Sequence, residues 1–130
     1  MIDVKEFHVQ NKIAFLVLEV FADLNIKQMM REHGHESLSE NYTKIIEQAI
    51  TSLQQLHEAG WVHCDIKPDN FLLNDDADLK LIDFTISKRI AKGISAVFRT
   101  RGTTRGTRSY MSPEQIRNRA LDARADIYSL

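Results

Sequence analysis

Cysteine is all but missing: the 130-residue chain holds one, Cys64, which excludes an internal disulfide and fits a reducing, cytoplasmic compartment. Proline is nearly as scarce, with only Pro68 and Pro113, and no low-complexity tract or repeat interrupts the chain, so it reads as one piece without a linker. Long apolar runs are absent as well. The longest, Ile13 to Leu18, stops at Glu19, far short of the ~20 residues that a membrane-spanning helix needs. The opening MIDVKEFHVQ has no basic stretch followed by an apolar one, so no secretory signal is expected. Neither sign of charge is in excess, because 17 Lys and Arg face 18 Asp and Glu for a formal charge of -1. That balance argues against a protein built wholesale to bind nucleic acid or an anionic membrane. With 43% hydrophobic residues, the composition is that of a globular chain of one domain at most.

The apolar residues that are present fall into short periodic segments. Glu6 to Val9 and Ile13 to Val20 are rich in Val, Ile, Leu and Phe and flank the polar Gln10-Asn11-Lys12, which predicts a hairpin. Leu24, Ile26, Met29 and Met30 among polar residues predict a short helix over 23–31, ending before His33-Gly34. The clearest helix is expected to start near Ser37-Leu38-Ser39-Glu40, where Ser37 and Glu40 have capping-box spacing, and to run to Ala59, with Gly60 as terminator. Tyr42, Ile45, Ile46, Ala49, Ile50, Leu53 and Leu56 step along it by three and four, so one broad stripe must be covered by something else.

Three extended segments follow: Trp61 to His63, Phe71 to Asn74 and Leu79 to Ile82, the last two joined as a hairpin by the polar turn Asn74 to Asp78. Between Ser87 and Ser112 the pattern stops. Arg99, Arg101, Arg105 and Arg108 alternate there with Gly, Thr and Ser, which reads as a long functional or substrate-docking loop. Too few aromatics are interleaved for a nucleic-acid surface. Pro113 to Arg117 starts like a one-turn helix, and Asp122 to Leu130 like the opening of another. His33-Gly34-His35 has no partner ligands at zinc-site spacing and reads as a surface loop.

One constellation carries chemistry: His63-Cys64-Asp65-Ile66-Lys67-Pro68-Asp69-Asn70, then Asp83-Phe84-Thr85, with Asp83 13 positions beyond Asn70. This resembles the catalytic loop and the metal-binding segment of the protein kinases. Gly106 to Glu114 resembles the end of a kinase activation segment, with Ser112-Pro113-Glu114 where Ala-Pro-Glu is usual. Asp126 to Leu130 is similar to the start of the central helix of the kinase C-lobe, and Ala14 to Phe21 to the last N-lobe strand and hinge.

The resemblance implies an α+β, kinase-like fold, present in part. Residues 1–21 would be the last N-lobe strands and hinge, and 22–130 the first part of a mainly helical C-lobe with short catalytic-loop hairpins. It implies a Ser/Thr protein kinase that moves the terminal phosphoryl group of ATP to a protein hydroxyl with Mg²⁺. Little covalent work falls to the protein in that reaction, so a carboxylate near the hydroxyl and oxygen ligands for the metal suffice. Asp65 would be the catalytic base and Lys67 a point charge beside the transferred group. Asn70 and Asp83 would hold Mg²⁺, and Glu19, Phe21, Lys67, Asn70, Leu72 and Asp83 would contact ATP. Asp23 is a weaker candidate for the ribose. Lys67, with Thr107 in the substrate-facing stretch, resembles Ser/Thr rather than Tyr kinases, and the Met111 to Gln115 stretch leans towards the bacterial eukaryotic-type kinases. His63 and Phe84 are expected to pack rather than react.

The departures matter too. Cys64 replaces the arginine that in many kinases pairs with a phosphorylated loop residue, so catalytic-loop order here is not expected to depend on that contact, although Thr100, Thr103 and Thr104 remain candidates for phosphorylation. Thr85 replaces a glycine, and a β-branched residue there resists changes of backbone arrangement. The Gly-rich loop, its lysine and the helix glutamate have no counterpart here, and neither does the downstream arginine expected to pair Glu114. The chain alone is therefore expected to be inactive, and the stripe from Tyr42 to Leu56 to lie exposed and promote aggregation. Two other readings are a non-catalytic kinase-like binding module, suggested by Cys64 and Thr85, and a small-molecule phosphotransferase, disfavoured by Lys67 and Ser112-Pro113-Glu114.

Overall fold

The computed structural model describes residues 1–90 and 106–130, in which helices and three two-stranded sheets alternate. Residues 91–105, with Arg99, Thr100, Arg101, Thr103, Thr104 and Arg105, lie outside the described residues.

The first hairpin pairs β1 (Val4–Gln10) with β2 (Ile13–Leu18), Gln10 opposite Ile13 and Val4 opposite Leu18. Asn11 and Lys12 turn it with φ of 52° and 65°. Positive φ at both central residues gives a turn whose twist matches that of the strands. A bulge between Val4 and Glu6 absorbs a register shift. Every residue of both strands is exposed, on both faces.

Helix α1 (Ile26–His33) starts from a complete capping box: Gln28 N donates to Asn25 Oδ1 at 2.9 Å, and Asn25 N to Gln28 Oε1 at 3.0 Å. The long helix differs from expectation. A short α2 (Glu36–Ser39) is followed by a break, and α3 (Tyr42–Glu58) begins after Asn41, whose φ of -111° and ψ of 11° are not helical. Ser37 lies inside α2 rather than at the start of the long helix.

Strands β3 (Trp61–Val62), β4 (Phe71–Leu73), β5 (Leu79–Leu81) and β6 (Lys88–Arg89) form the remaining sheets. β4 and β5 pair as expected, Phe71 opposite Leu81 and Leu73 opposite Leu79. β3 instead pairs with β6, so Lys88 and Arg89, expected to open a long loop, are a strand. The Arg89 guanidinium sits 5.8 Å above the Trp61 ring. Helix α4 (Pro113–Ile116) is capped by Ser112, with Gln115 completing a second capping box, and α5 (Arg124–Ser129) closes the described chain.

The main core lies between α3 and the β4–β5 hairpin. Alternation turns Phe71, Leu73, Leu79 and Leu81 onto Ile45, Ala49 and Leu53 and leaves Leu72 and Lys80 on the other face. Each such side chain is worth roughly 1.5–3 kcal/mol against leaving it in water. The stripe of α3 is therefore largely covered, contrary to expectation: only Tyr42 and Ile50 of it are exposed. Exposed apolar side chains gather on the first hairpin instead, with Phe7, Val9 and Ile13 each about two-thirds exposed. Two polar residues of α3 fix the β4–β5 turn. Gln48 donates to Ala77 O at 2.7 Å and accepts from Leu79 N at 3.0 Å, while Lys44 reaches Asp76 O at 2.6 Å and Asp78 Oδ1 at 2.9 Å. A smaller cluster of Val62, Cys64 and Ala125 joins α5 to the segment after β3.

Candidate active site

The loop from His63 to Asn70 is set by buried polar groups. Cys64 has a φ of 72°, a left-handed conformation that a non-glycine side chain resists. It is held from both sides: the amides of His63 and Cys64 donate to the Asp126 carboxylate at 2.8 and 2.9 Å, and Gln115 Nε2 donates to Cys64 O at 2.8 Å. Asp126, 1% exposed, also takes His57 Nε2 at 2.8 Å, so its charge is buried but fully engaged.

His63 is wholly buried. Its Nε2 donates to Ile82 O at 3.0 Å and its Nδ1 accepts from Asp65 N at 3.3 Å, which fixes the neutral tautomer. Burial holds its pKa below the ordinary histidine value, against opposing pulls from Ile82 O and the neighbouring carboxylates. Phe84 meets the ring edge to face at 5.1 Å, so these two pack rather than react.

The Asp65 carboxylate is engaged at both oxygens. Oδ1 accepts from Thr107 N at 2.8 Å; Oδ2 lies 2.8 Å from Lys67 Nζ and 3.3 Å from Asn70 Nδ2. Lys67 Nζ donates at the same time to Thr107 Oγ1 at 2.9 Å. Burial alone would raise the Asp65 pKa, but Lys67 and Thr107 outweigh it and leave it below the ordinary carboxylate value. Gly106 makes the approach of Thr107 possible. Its φ is 126°, and a Cβ there would stand 2.9 Å from Cys64 O.

Asn70 ends a 3-10 turn (Pro68–Asn70) and is buried. Its Nδ2 donates to Asp65 O at 2.7 Å, and its Oδ1 accepts no hydrogen bond among the described residues. The bond from Ile82 N to Asn70 O, 3.0 Å, ties this residue to the end of β5, one position before Asp83. Asp83 is exposed with a φ of 61°, and its Oδ1 accepts from the amide and the hydroxyl of Thr85. Among the described residues no group of three or more His, Cys, Asp or Glu forms a metal cage, so any cation here would rely on Asn70, Asp83 and oxygens from water or a bound ligand.

The protein kinase domain family matches residues 1–130. The chain belongs to that family. It is 34% identical over 116 residues to the serine/threonine-protein kinase PknL of Mycobacterium tuberculosis, covering 89% of this chain and 28% of that protein. A probable serine/threonine-protein kinase of Corynebacterium efficiens is 35% identical over 117 residues, covering 90% of this chain and 17% of its own length. The G-type lectin S-receptor-like serine/threonine-protein kinase SD2-5 of Arabidopsis thaliana is 46% identical over 80 residues, 59% of this chain and 9% of the relative. The chain thus spans less than a third of the length of these relatives.

Within this kinase-family chain the structure brings Asp65, Lys67 and Asn70 into one hydrogen-bonded group, with Asp83 adjoining through Ile82. Glu19 and Leu72 make no hydrogen bond to that group among the described residues but lie near each other. Glu19 pairs with Lys80 at 3.0 Å, and Lys80 is the cross-strand partner of Leu72. The Lys80 pairing, with the Asp3 amide, holds the Glu19 carboxyl below its ordinary value. Phe21 is half-buried between β2 and α1 in the chain. Asp23 lines a separate cavity of about 320 Å³ with Leu24, Met29 and Asp75.

Glu114 is half-buried rather than buried, and no ion pair holds it among the described residues. Sequence reasoning missed Asp126 and Gln115 as anchors of the His63–Asn70 loop. The pattern Ser112-x-x-Gln115 beside Pro113 was a signal for a capped helix start, but nothing local announces that Gln115 also reaches Cys64. Cys64 itself is a buried small hydrophobe beside Val62 and Ala125, its thiol pushed up to about 11 mainly by burial. No helix among the described residues is long and apolar enough to cross a membrane.

Proposed function

We propose that this chain carries the phosphoryl-transfer machinery of a cytoplasmic Ser/Thr protein kinase, moving the terminal phosphoryl group of ATP to a Ser or Thr hydroxyl of a protein. The observation that supports it best is the Asp65 carboxylate, held between Lys67, Thr107 and Asn70 and kept ionised at neutral pH by the first two. An ionised carboxylate fixed in place can accept a hydrogen bond from an incoming hydroxyl, orient it and take its proton as the bond to phosphorus forms. Lys67 Nζ, between Asp65 and Thr107, supplies a cation beside the charge that develops.

The carboxamide oxygen of Asn70, which accepts no hydrogen bond among the described residues, and the exposed Asp83 carboxylate are hard oxygen donors, so the residues present fit Mg²⁺. Held by Asn70 and Asp83, Mg²⁺ would supply positive charge to offset the negative charge of the phosphates. Glu19 and Leu72, joined through Lys80, are with Phe21, Lys67, Asn70 and Asp83 the residues we assign to the nucleotide.

The second reading, a non-catalytic kinase-like module, draws on the hydroxyl of Thr85 at Asp83. Transfer of labelled phosphate from ATP to a protein substrate by the full-length protein separates the two. Asp65→Asn is expected to lower the rate by about 10² to 10⁴ while the protein still folds. Undiminished transfer by that variant would remove Asp65 from the catalytic role.

A further inference from the structure

Asp83 is a poorly supported side chain for a metal ligand. It is exposed, its φ of 61° is one that L-residues rarely adopt, and among the described residues only Thr85 bonds its carboxylate. Both donors, the amide and the hydroxyl of Thr85, go to the same oxygen, Oδ1. A glycine in place of Thr85 could offer only the amide. Threonine adds a hydroxyl on a β-branched side chain with few rotamers, so its aim is set in advance.

We infer that Thr85 is a positioning residue for Asp83: its hydroxyl and amide hold Oδ1 and leave Oδ2 as the oxygen that takes a divalent cation together with Asn70 Oδ1. This rests on the kinase reading of Asn70 and Asp83. Thr85 is in this sense no passive replacement of a flexible residue. It restrains a carboxylate that burial does not restrain, and it sets single-oxygen ligation from Asp83.

Three substitutions separate the hydroxyl from the stiffness of the backbone. Thr85→Val keeps the β-branch and loses the hydroxyl, Thr85→Ser keeps the hydroxyl without the branch, and Thr85→Gly loses both. In this chain, binding of Mn²⁺ alone, followed by the spectroscopic loss of free Mn²⁺, is expected to weaken about 3- to 10-fold in Thr85→Val and Thr85→Gly and to stay near the parent value in Thr85→Ser, the range that a single hydrogen bond supplies. In the full-length protein the same two variants should need correspondingly more Mg²⁺ for half-maximal transfer, with kcat at saturating Mg²⁺ little changed. Amide hydrogen exchange at Thr85 should quicken in Thr85→Gly and stay slow in Thr85→Ser. Equal Mn²⁺ affinity in Thr85→Val and the parent, equal losses in Thr85→Ser and Thr85→Val, or no Mn²⁺ binding by any of them overturns the inference. Failure of the kinase reading would show separately, as undiminished transfer by Asp65→Asn.

Discussion

The amide of Cys64 donates to the carboxylate of Asp126 at 2.9 Å, across 62 positions of sequence. That bond, with its neighbour from His63, makes the His63–Asn70 loop depend on a side chain of α5. Asp126→Ala would strand two buried amides and His57, a loss of about 3–5 kcal/mol typical of breaking a buried charged network. Urea unfolding followed by circular dichroism should show it. Asp126→Asn, which can still accept, should lose clearly less.

Acid should weaken the fold in two separate steps. The folded-state pKa of His63 lies below its unfolded value, so the unfolded chain binds the extra proton and stability falls as pH drops below about 6.5. Asp65 is depressed as well, and its contribution is complete above its unfolded value near 3.8 and disappears as pH falls through the lower folded value. Unfolding midpoints measured from pH 8 to pH 3 should therefore show an upper limb that flattens in His63→Gln and a lower limb that flattens in Asp65→Asn.

Gly106→Ala should uncouple folding from activity. The added Cβ, 2.9 Å from the Cys64 carbonyl and on a backbone of positive φ, forces Thr107 away from Asp65. A destabilisation of about 1–3 kcal/mol is expected from strain of this kind. Phosphate transfer by the full-length variant should fall far more than its melting temperature does.

Cys64 should be silent towards thiol reagents in the folded chain. It is 3% exposed and its thiol titrates near 11, so little thiolate exists at neutral pH and little of it is accessible. Alkylation by iodoacetamide at pH 7.5 should be negligible until denaturant is added, and then reach one label per chain. Rapid labelling of the folded chain would contradict the packing of Cys64 beside Val62 and Ala125.

Much of the site was legible because its chemistry is compact in sequence. Asp65, Lys67 and Asn70 fall within six residues, and the Asn74 to Asp78 turn between alternating Leu positions returns the chain to Asp83. The pattern of α3 told which face is apolar. It could not tell what covers that face, which proved to be β4 and β5. Ser37 and Glu40 matched a capping box, yet the working boxes are Asn25 with Gln28 and Ser112 with Gln115. Local spacing is necessary for a cap but does not choose among candidates. Strand β6 has two residues, too few for any period to show. Asp126 carried no local mark of its role, because its partners are set by tertiary packing.

The first hairpin buries none of its strand residues and is tied to the rest through Glu19 with Lys80 and through Ile2 N with Leu81 O at 3.0 Å. Its opening therefore exposes less apolar surface than separating α3 from β4 and β5, so less free energy holds its closed form. Its amides should exchange through frequent local opening, whereas those of α3, β4 and β5 wait for global unfolding. The chain is then expected to open as two units of unequal stability, with the His63–Asn70 loop in the more durable one.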